Sequence, residues 1–300
     1  MEAQRITEVV GKIHGRPSSI VTELRRVSEA TETVGRLKKR GGVVVKIGGS
    51  LNGKTGTLLE DLHDLHEFGI PITVIHGGGK KIDERLSELK IPVEFRGGLR
   101  VTTPESIKVV QEVLKQLGED IVTKLRSNGI VAVHVLGRKA FVAEQKPELG
   151  LVGTFSGEDT FRIMEINRKG CGILRCMALS GRVVVVTPSA RDMKGKVLNV
   201  NADEIAEVIA KVTLTPPPVA VFVTETKGVF VGGKVVDEIS RSEALGLVSR
   251  GEINGGMAPK IKAAAGLAGI PGVKTGIIGC EDHELLKAVF RPGSSGTWIS

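Results

Sequence analysis

Short β-branched runs bounded by glycine or proline alternate along this chain with stretches where apolar residues recur every three or four positions. The runs Val43–Ile47, Pro71–His76, Ile130–Val135, Val183–Val186, Val219–Val223 and Gly276–Gly279 have the length and residue types of buried strands. Helical spacing predicts helices over Leu58–Phe68, Ile82–Leu89, Pro104–Leu117, Ile121–Arg126, Glu204–Lys211 and a segment reaching Leu267. Thr103-Pro104 supplies a helix start and Asn128-Gly129 a stop. Arg138–Phe155 reads as a hairpin-rich excursion, and Pro216-Pro217-Pro218 breaks the chain before a strand. Strands alternating with helices in this way define an α/β chain.

Two further amphipathic patterns precede the first strand. Ile6, Val9, Val10 and Ile13 form one stripe, and Ile20, Val21, Leu24 and Val27 the next, separated by Gly15-Arg16-Pro17 with Ser18 or Ser19 as cap. Each stripe needs a covering surface, either the body of its own subunit or another copy. Gly41-Gly42 marks the end of this extension, taken as residues 1–41.

Composition narrows the picture. At 300 residues and 41% hydrophobic the chain can bury a large core, which excludes general disorder. Three cysteines, Cys171, Cys176 and Cys280, cannot all pair within one chain and form no Cys-x-x-Cys, so a reduced, cytoplasmic protein is expected, with Cys171 and Cys176 as core thiols. No apolar run is long enough to span a membrane. The basic first 40 residues contain Glu2, Glu8, Glu23, Glu29 and Glu32 and lack an apolar h-region, unlike a targeting peptide. A formal charge of +8 accompanied by 3% aromatics and no tyrosine argues for a small acidic substrate, such as ATP with a carboxylate, and against nucleic acid.

The candidate chemistry sits where strands end. Lys46 precedes Gly48 and Gly49, whose backbone N–H groups can approach an anion closely, with a helix start following. Gly48-x-x-x-x-Gly53-Lys54-Thr55 also matches a P-loop, which would make Lys54 the working lysine; no apolar strand ends in the aspartate that a second magnesium-binding motif requires. His76 runs into Gly77-Gly78-Gly79, a second strand–glycine–helix junction of the kind at which α/β sheets bind ligands. Arg96 and Arg100 flank a glycine-interrupted loop and can each hold a carboxylate through a bidentate fork. Asn199 and Asp203 lie four apart at a helix start, suited to capping or to a site. Thr224-Glu225-Thr226-Lys227-Gly228 ends a strand, and Asn254 and Lys260 bracket Gly255-Gly256-Met257-Ala258-Pro259.

Taken in order, Lys46-Ile-Gly-Gly-Ser, Val74-Ile-His-Gly-Gly-Gly, Gly98-Leu-Arg-Val-Thr, Leu198-Asn-Val-Asn-Ala-Asp and Gly256-Met-Ala-Pro-Lys260 resemble the motifs of the amino acid kinase superfamily, and within it the N-acetylglutamate kinases. The resemblance covers about residues 42–300. It implies an open αβα sandwich with a mainly parallel central sheet behind the helical extension, an acyl-substrate N-lobe (42–197) and an ATP-binding C-lobe (198–300). The implied reaction is phosphoryl transfer from ATP, with Mg2+ carried by the nucleotide, to the side-chain carboxylate of N-acetyl-L-glutamate, a step of arginine biosynthesis. By matching motif, Lys46 and Lys260 stabilise the transferring phosphoryl and Asp203 orients them. Gly78, Gly79, Arg100 and Asn199 take the acyl substrate. Gly48, Gly49, Glu225, Thr226, Lys227, Gly228 and Asn254 take the nucleotide, and no residue is assigned as a metal ligand. Glu225 stands where the family's nucleotide strand usually ends in aspartate. The resemblance also implies a homodimer or higher homo-oligomer. Two alternatives stay open: a kinase of carrier-protein-bound aminoadipate or glutamate, against which Gly98–Thr102 argues, and a non-catalytic regulatory paralogue, against which the two lysines argue.

Overall fold

The protein is described here by a computed structural model covering residues 2–15, 19–48, 56–212 and 219–300. Its β-branched runs come together in one sheet of β1 (Val43–Ile47), β2 (Ile72–His76), β5 (Ala132–Leu136), β8 (Val183–Thr187), β11 (Val219–Val223), β14 (Glu238–Ile239), β15 (Lys274–Ile278) and β16 (Thr297–Ile299). The spatial order is β14-β16-β15-β11-β1-β2-β8-β5, and every neighbouring pair is parallel except β15 with β16. Such a sheet must be covered on both faces, which is why its strands lack polar alternation. Val44, Ile75, Val184, Val186 and Phe222 face one apolar cluster; Val43, Val45, Ile72, Val74 and Val221 face the other.

The first face carries α6 (Thr160–Leu179), α7 (Ala202–Val212), α8 (Arg241–Ser249) and α9 (Met257–Ala268). The second carries α3 (Gly56–Glu67), α10 (Glu284–Phe290), the extension helices α1 (Glu2–His14) and α2 (Ile20–Arg40), and the end of α5 (Ser106–Ser127). Helix α4 (Gly79–Glu88) packs with α5 in a smaller cluster of Ile82, Leu86, Val110 and Leu114. The predicted hairpin-rich excursion over Arg138–Phe155 contributes β6 (Glu144–Lys146) and β7 (Val152–Thr154), antiparallel to each other, to a second sheet that β10 (Val197–Val200) and β9 (Ser189–Arg191) complete. The boundary between residues 197 and 198 falls inside β10, which pairs with β7 and β9. Two hairpins, β3 (Phe95–Arg96) with β4 (Leu99–Arg100) and β12 (Phe230–Val231) with β13 (Lys234–Val235), complete the strands. In the first, Gly97 and Gly98 both have positive φ, 56° and 78°, as a two-residue type I′ turn demands.

Several expectations need correction. The helices expected over 104–117 and 121–126 are one helix, α5, because the buried Gly118 lets it run on past the His134 ring. Helix α6 was not anticipated, nor were α8 and α10. Cys171 is buried, but Cys176 is exposed: five positions along a helix turn the side chain away from the face that Cys171 occupies. In the extension, Ser19 caps α2 by accepting from Thr22 N at 3.2 Å, while Ser18 lies outside the described residues. Ile6, Val9, Val10 and Ile13 are buried in the body, whereas Ile20, Val21 and Leu24 are 76%, 76% and 64% exposed. Among the described residues no helix is long and apolar enough to cross a membrane.

Candidate active site

A cleft of about 410 Å³ opens at the carboxyl ends of β1, β2 and β11, where the strand order puts an N-terminal strand beside a C-terminal one. Lys46 projects from β1 on the same face as Val44, toward α7. Its Nζ lies 2.8 Å from Asp203 Oδ1 in the first turn of that helix, both residues only 4% exposed. The pair holds by charge, since Asp203 Oδ1 has no aligned hydrogen-bond donor. The capping role falls to Asn201, whose Oδ1 accepts from Asp203 N at 2.9 Å, leaving the Asp203 carboxylate for Lys46.

Lys260, from the first turn of α9, lines the same end of the cleft and donates from Nζ to Gly256 O at 2.7 Å. Burial, then the nearby Lys46 charge, pull its pKa down to about 8, against a partial rise from Asp203. Two lysines facing one carboxylate leave the pocket short of negative charge, an arrangement suited to a bound polyanion.

The opposite wall is the second glycine junction. Gly78 is buried against Leu114 and Leu117, where a Cβ would collide; Gly79 begins α4, whose first N–H groups have no side-chain cap. Arg100 is buried beside them. Its Nη1 donates to Asp83 Oδ1 of α4, its Nη2 donates to Gly79 O at 3.1 Å, and the guanidinium lies 4.8 Å from the centroid of the Phe95 ring. Arg96 instead turns to solvent and pairs with Glu94 at 2.7 Å. Asn199 Nδ2 donates to Thr102 Oγ1 at 3.2 Å with its amide on the cleft wall.

The cleft thus brings together Lys46, Gly48, Gly78, Gly79, Arg100, Asn199, Asp203, Glu225, Thr226 and Lys260. Lys227, Gly228 and Asn254 do not line it: Lys227 is exposed 3.8 Å from Asp282, Gly228 is packed under Thr297, and Asn254 is exposed at the turn before α9. Gly49 and the alternative Gly53-Lys54-Thr55 lie outside the described residues. Sequence reasoning missed Asp83, Asn201 and Pro188. Asp83 sits one turn along α4 from the glycines, a helical spacing that could have signalled it.

Residues 42–275 match the model of the amino acid kinase family. The acetylglutamate kinase of Geobacillus kaustophilus (strain HTA426) is 34% identical over 228 residues, 74% of this chain and 83% of that protein. That of Kineococcus radiotolerans is 34% identical over 277 residues, 86% of this chain and 89% of that protein. Among solved structures, N-acetylglutamate synthase from Neisseria gonorrhoeae has a TM-score of 0.74 at 21% identity, covering 94% of this chain and 64% of that one. Carbamate kinase from Giardia lamblia bound to AMP-PNP has a TM-score of 0.53 at 16% identity, covering 86% of this chain and 97% of that one. Fold and cleft define a phosphotransferase built on an α/β sandwich. The chain belongs to the amino acid kinase family.

Proposed function

We propose that this protein transfers the γ-phosphoryl of ATP to the side-chain carboxylate of N-acetyl-L-glutamate, giving an acyl phosphate for arginine biosynthesis in the cytoplasm. The observation that carries this reading is one cleft with a buried Lys46–Asp203 pair and Lys260 at one end and the Gly78–Gly79 turn with Arg100 at the other. The names of the relatives support the acceptor.

In this reading the carboxylate to be phosphorylated lies against the Gly78 and Gly79 N–H groups, and Arg100 holds the α-carboxylate. Arg100 arrives pre-oriented by Asp83 and Phe95, which lowers the entropy cost of that contact. Asn199 supports the same substrate. The nucleotide lies along Gly48, Glu225 and Thr226, the nucleotide residues of the motif reading that line the cleft. Lys46 and Lys260 meet the equatorial oxygens of the moving phosphoryl from two sides, and Asp203 keeps Lys46 in place when the site is otherwise cationic. For Lys260 this means leaving Gly256 O. No protein nucleophile is required. Mg2+ carried by the nucleotide would neutralise part of its phosphate charge.

The exposed Ile20, Val21 and Leu24 at the start of α2 support contact with a second copy of the chain, and hence a homo-oligomer. A panel of N-acetylglutamate, glutamate and N-acetylaminoadipate with ATP, scored by trapping acyl phosphate with hydroxylamine, tests the acceptor. Hydroxamate from N-acetylglutamate above the other two is expected; preference for either rival overturns the substrate assignment.

A further inference from the structure

Behind the glycine turn lies a buried polar chain that phosphoryl transfer leaves unused. His76 ends β2, with Nδ1 3.0 Å from Gly77 O and Nε2 3.3 Å from Thr187 Oγ1. Thr187 ends β8, is fully buried, and lies 2.6 Å from Nε2 of His134 on β5. Burial drives the His76 pKa down to about 4, helped by the nearby His134 and Lys46 and opposed by the bond to Gly77, so the ring is neutral at physiological pH with a single N–H. A carbonyl oxygen only accepts, so that hydrogen sits on Nδ1 and Nε2 is left as an acceptor. The Thr187 hydroxyl must then donate to His76 and accept from a Nε2–H on His134. The chain has one direction, His134 to Thr187 to His76 to Gly77 O.

Its end point sets a backbone orientation. A trans peptide places its C=O and the following N–H on opposite sides, so fixing Gly77 O toward the His76 ring turns the Gly78 N–H away from it. Flanking glycines cannot hold that peptide sterically, since both tolerate a wide range of φ and ψ. The neighbouring bonds, Gly77 N to Ile47 O at 2.8 Å and Ile82 N to Gly78 O at 2.9 Å, anchor the turn on either side of this peptide without choosing its direction. The Gly78 N–H has no acceptor among the described residues. We propose that His76, held in its Nδ1–H form by Thr187 and His134, is a positioning residue that aims the Gly78 N–H at the carboxylate being phosphorylated. This rests on the role given to Gly78 above.

The test compares the full-length protein with His76→Leu, His76→Asn and Thr187→Val, using ATP and whichever carboxylic acid the panel selects. Asparagine places a donor where Nδ1 stood; leucine does not. His76→Leu is expected to lower kcat about tenfold or more, the loss of one well-aimed donor, with KM for ATP within about twofold. His76→Asn should recover most of that loss, and Thr187→Val should show a smaller fall. Independently of activity, nitrogen NMR of histidine-labelled protein should show one ring in the Nδ1–H form from pH 5 to 8, absent in His76→Asn and redistributed in Thr187→Val. Equal impairment of the leucine and asparagine variants, or a Nε2–H ring at His76, overturns the proposal. Should His76→Leu not fold, the ring form and the Thr187→Val kinetics decide it in the same sense. A wild-type protein that phosphorylates no carboxylic acid would overturn the proposed function instead, leaving the ring form to stand as a separate observation.

Discussion

At the scale of single residues, Lys260 carries a pH signature whose sign can be worked out. Its folded pKa of about 8 is below the ordinary 10.5, so folding releases this proton more readily and stability rises with pH between those values. In the proposed mechanism activity runs the other way, because only the ammonium can stabilise a phosphoryl oxygen. We expect kcat/KM for ATP to fall above about pH 8, and the limb in kcat to lie higher, since bound phosphates favour the charged lysine. Lys260→Arg should remove the limb from the accessible range; a limb unmoved in that variant would assign it to another group. Lys46→Ala should cut kcat by about 10² or more, on the scale of a single electrostatic donor, whereas Lys54→Ala should leave most of it. The opposite pattern would restore the P-loop reading. Arg100→Lys should chiefly raise KM for the acyl substrate, by about tenfold, because a point charge cannot reproduce the planar fork. A rise confined to KM for ATP would reverse the two ends of the cleft.

At the scale of elements, α6 shows what patterning leaves unread. Its buried positions are Ile163, Asn167, Gly170, Cys171, Leu174 and Ala178, a helical stripe written largely in small and polar residues that a search for aliphatic spacing passes over. The stripe is tight where Gly170 meets the Ala140 carbonyl, and open at Gly172 two positions on. Glycine to alanine ordinarily favours a helix by about 1 kcal/mol. Gly172→Ala should therefore raise the midpoint of urea unfolding, while Gly170→Ala, which drives a methyl group into backbone, should lower it by about 1–3 kcal/mol in stability. Two shifts of the same sign would mean that propensity outweighs packing here. The site was legible for a related reason. Lys46, the glycine junctions and Lys260 announce themselves by local grammar, a buried strand running into bare backbone or a glycine turn opening a helix. Asp83, Thr187 and His134 gain meaning only once α4 lies against the β3–β4 hairpin and β8 lies between β2 and β5, and no local pattern encodes those neighbours.

At the scale of the whole molecule, the extension belongs to the core more than its sequence suggested. Lys12 of α1 pairs with Asp64 of α3 at 2.6 Å, Arg5 pairs with Glu67, and Ile6, Val9, Val10 and Ile13 sit in the cluster that contains Phe68 and Val289. Deletion of residues 1–40 should consequently lower the thermal midpoint and promote aggregation, whereas a soluble product of unchanged midpoint would place these helices outside the core. Replacing Ile20, Val21 and Leu24 with serine should instead leave the midpoint unchanged and reduce the assembled mass by light scattering. An unchanged mass would remove these residues from any interface. The alternation of strands and helices made the α/β class legible, but not the order of the strands, and that order has a further cost in time. The central strand β1 has β11 as its neighbour, Val43 opposite Val219, a separation of 219 − 43 = 176 residues. At about 5–20 residues per second, a ribosome needs roughly 9–35 s to supply the second strand after the first has been made. Throughout that interval β1 has one flank open, and the half of the cleft that carries Lys46 exists without the helix that carries Asp203 for most of it. Over that interval the open flank of β1 is accessible to other chains for a time set by topology, and Lys46 meets Asp203 and β11 only late in synthesis.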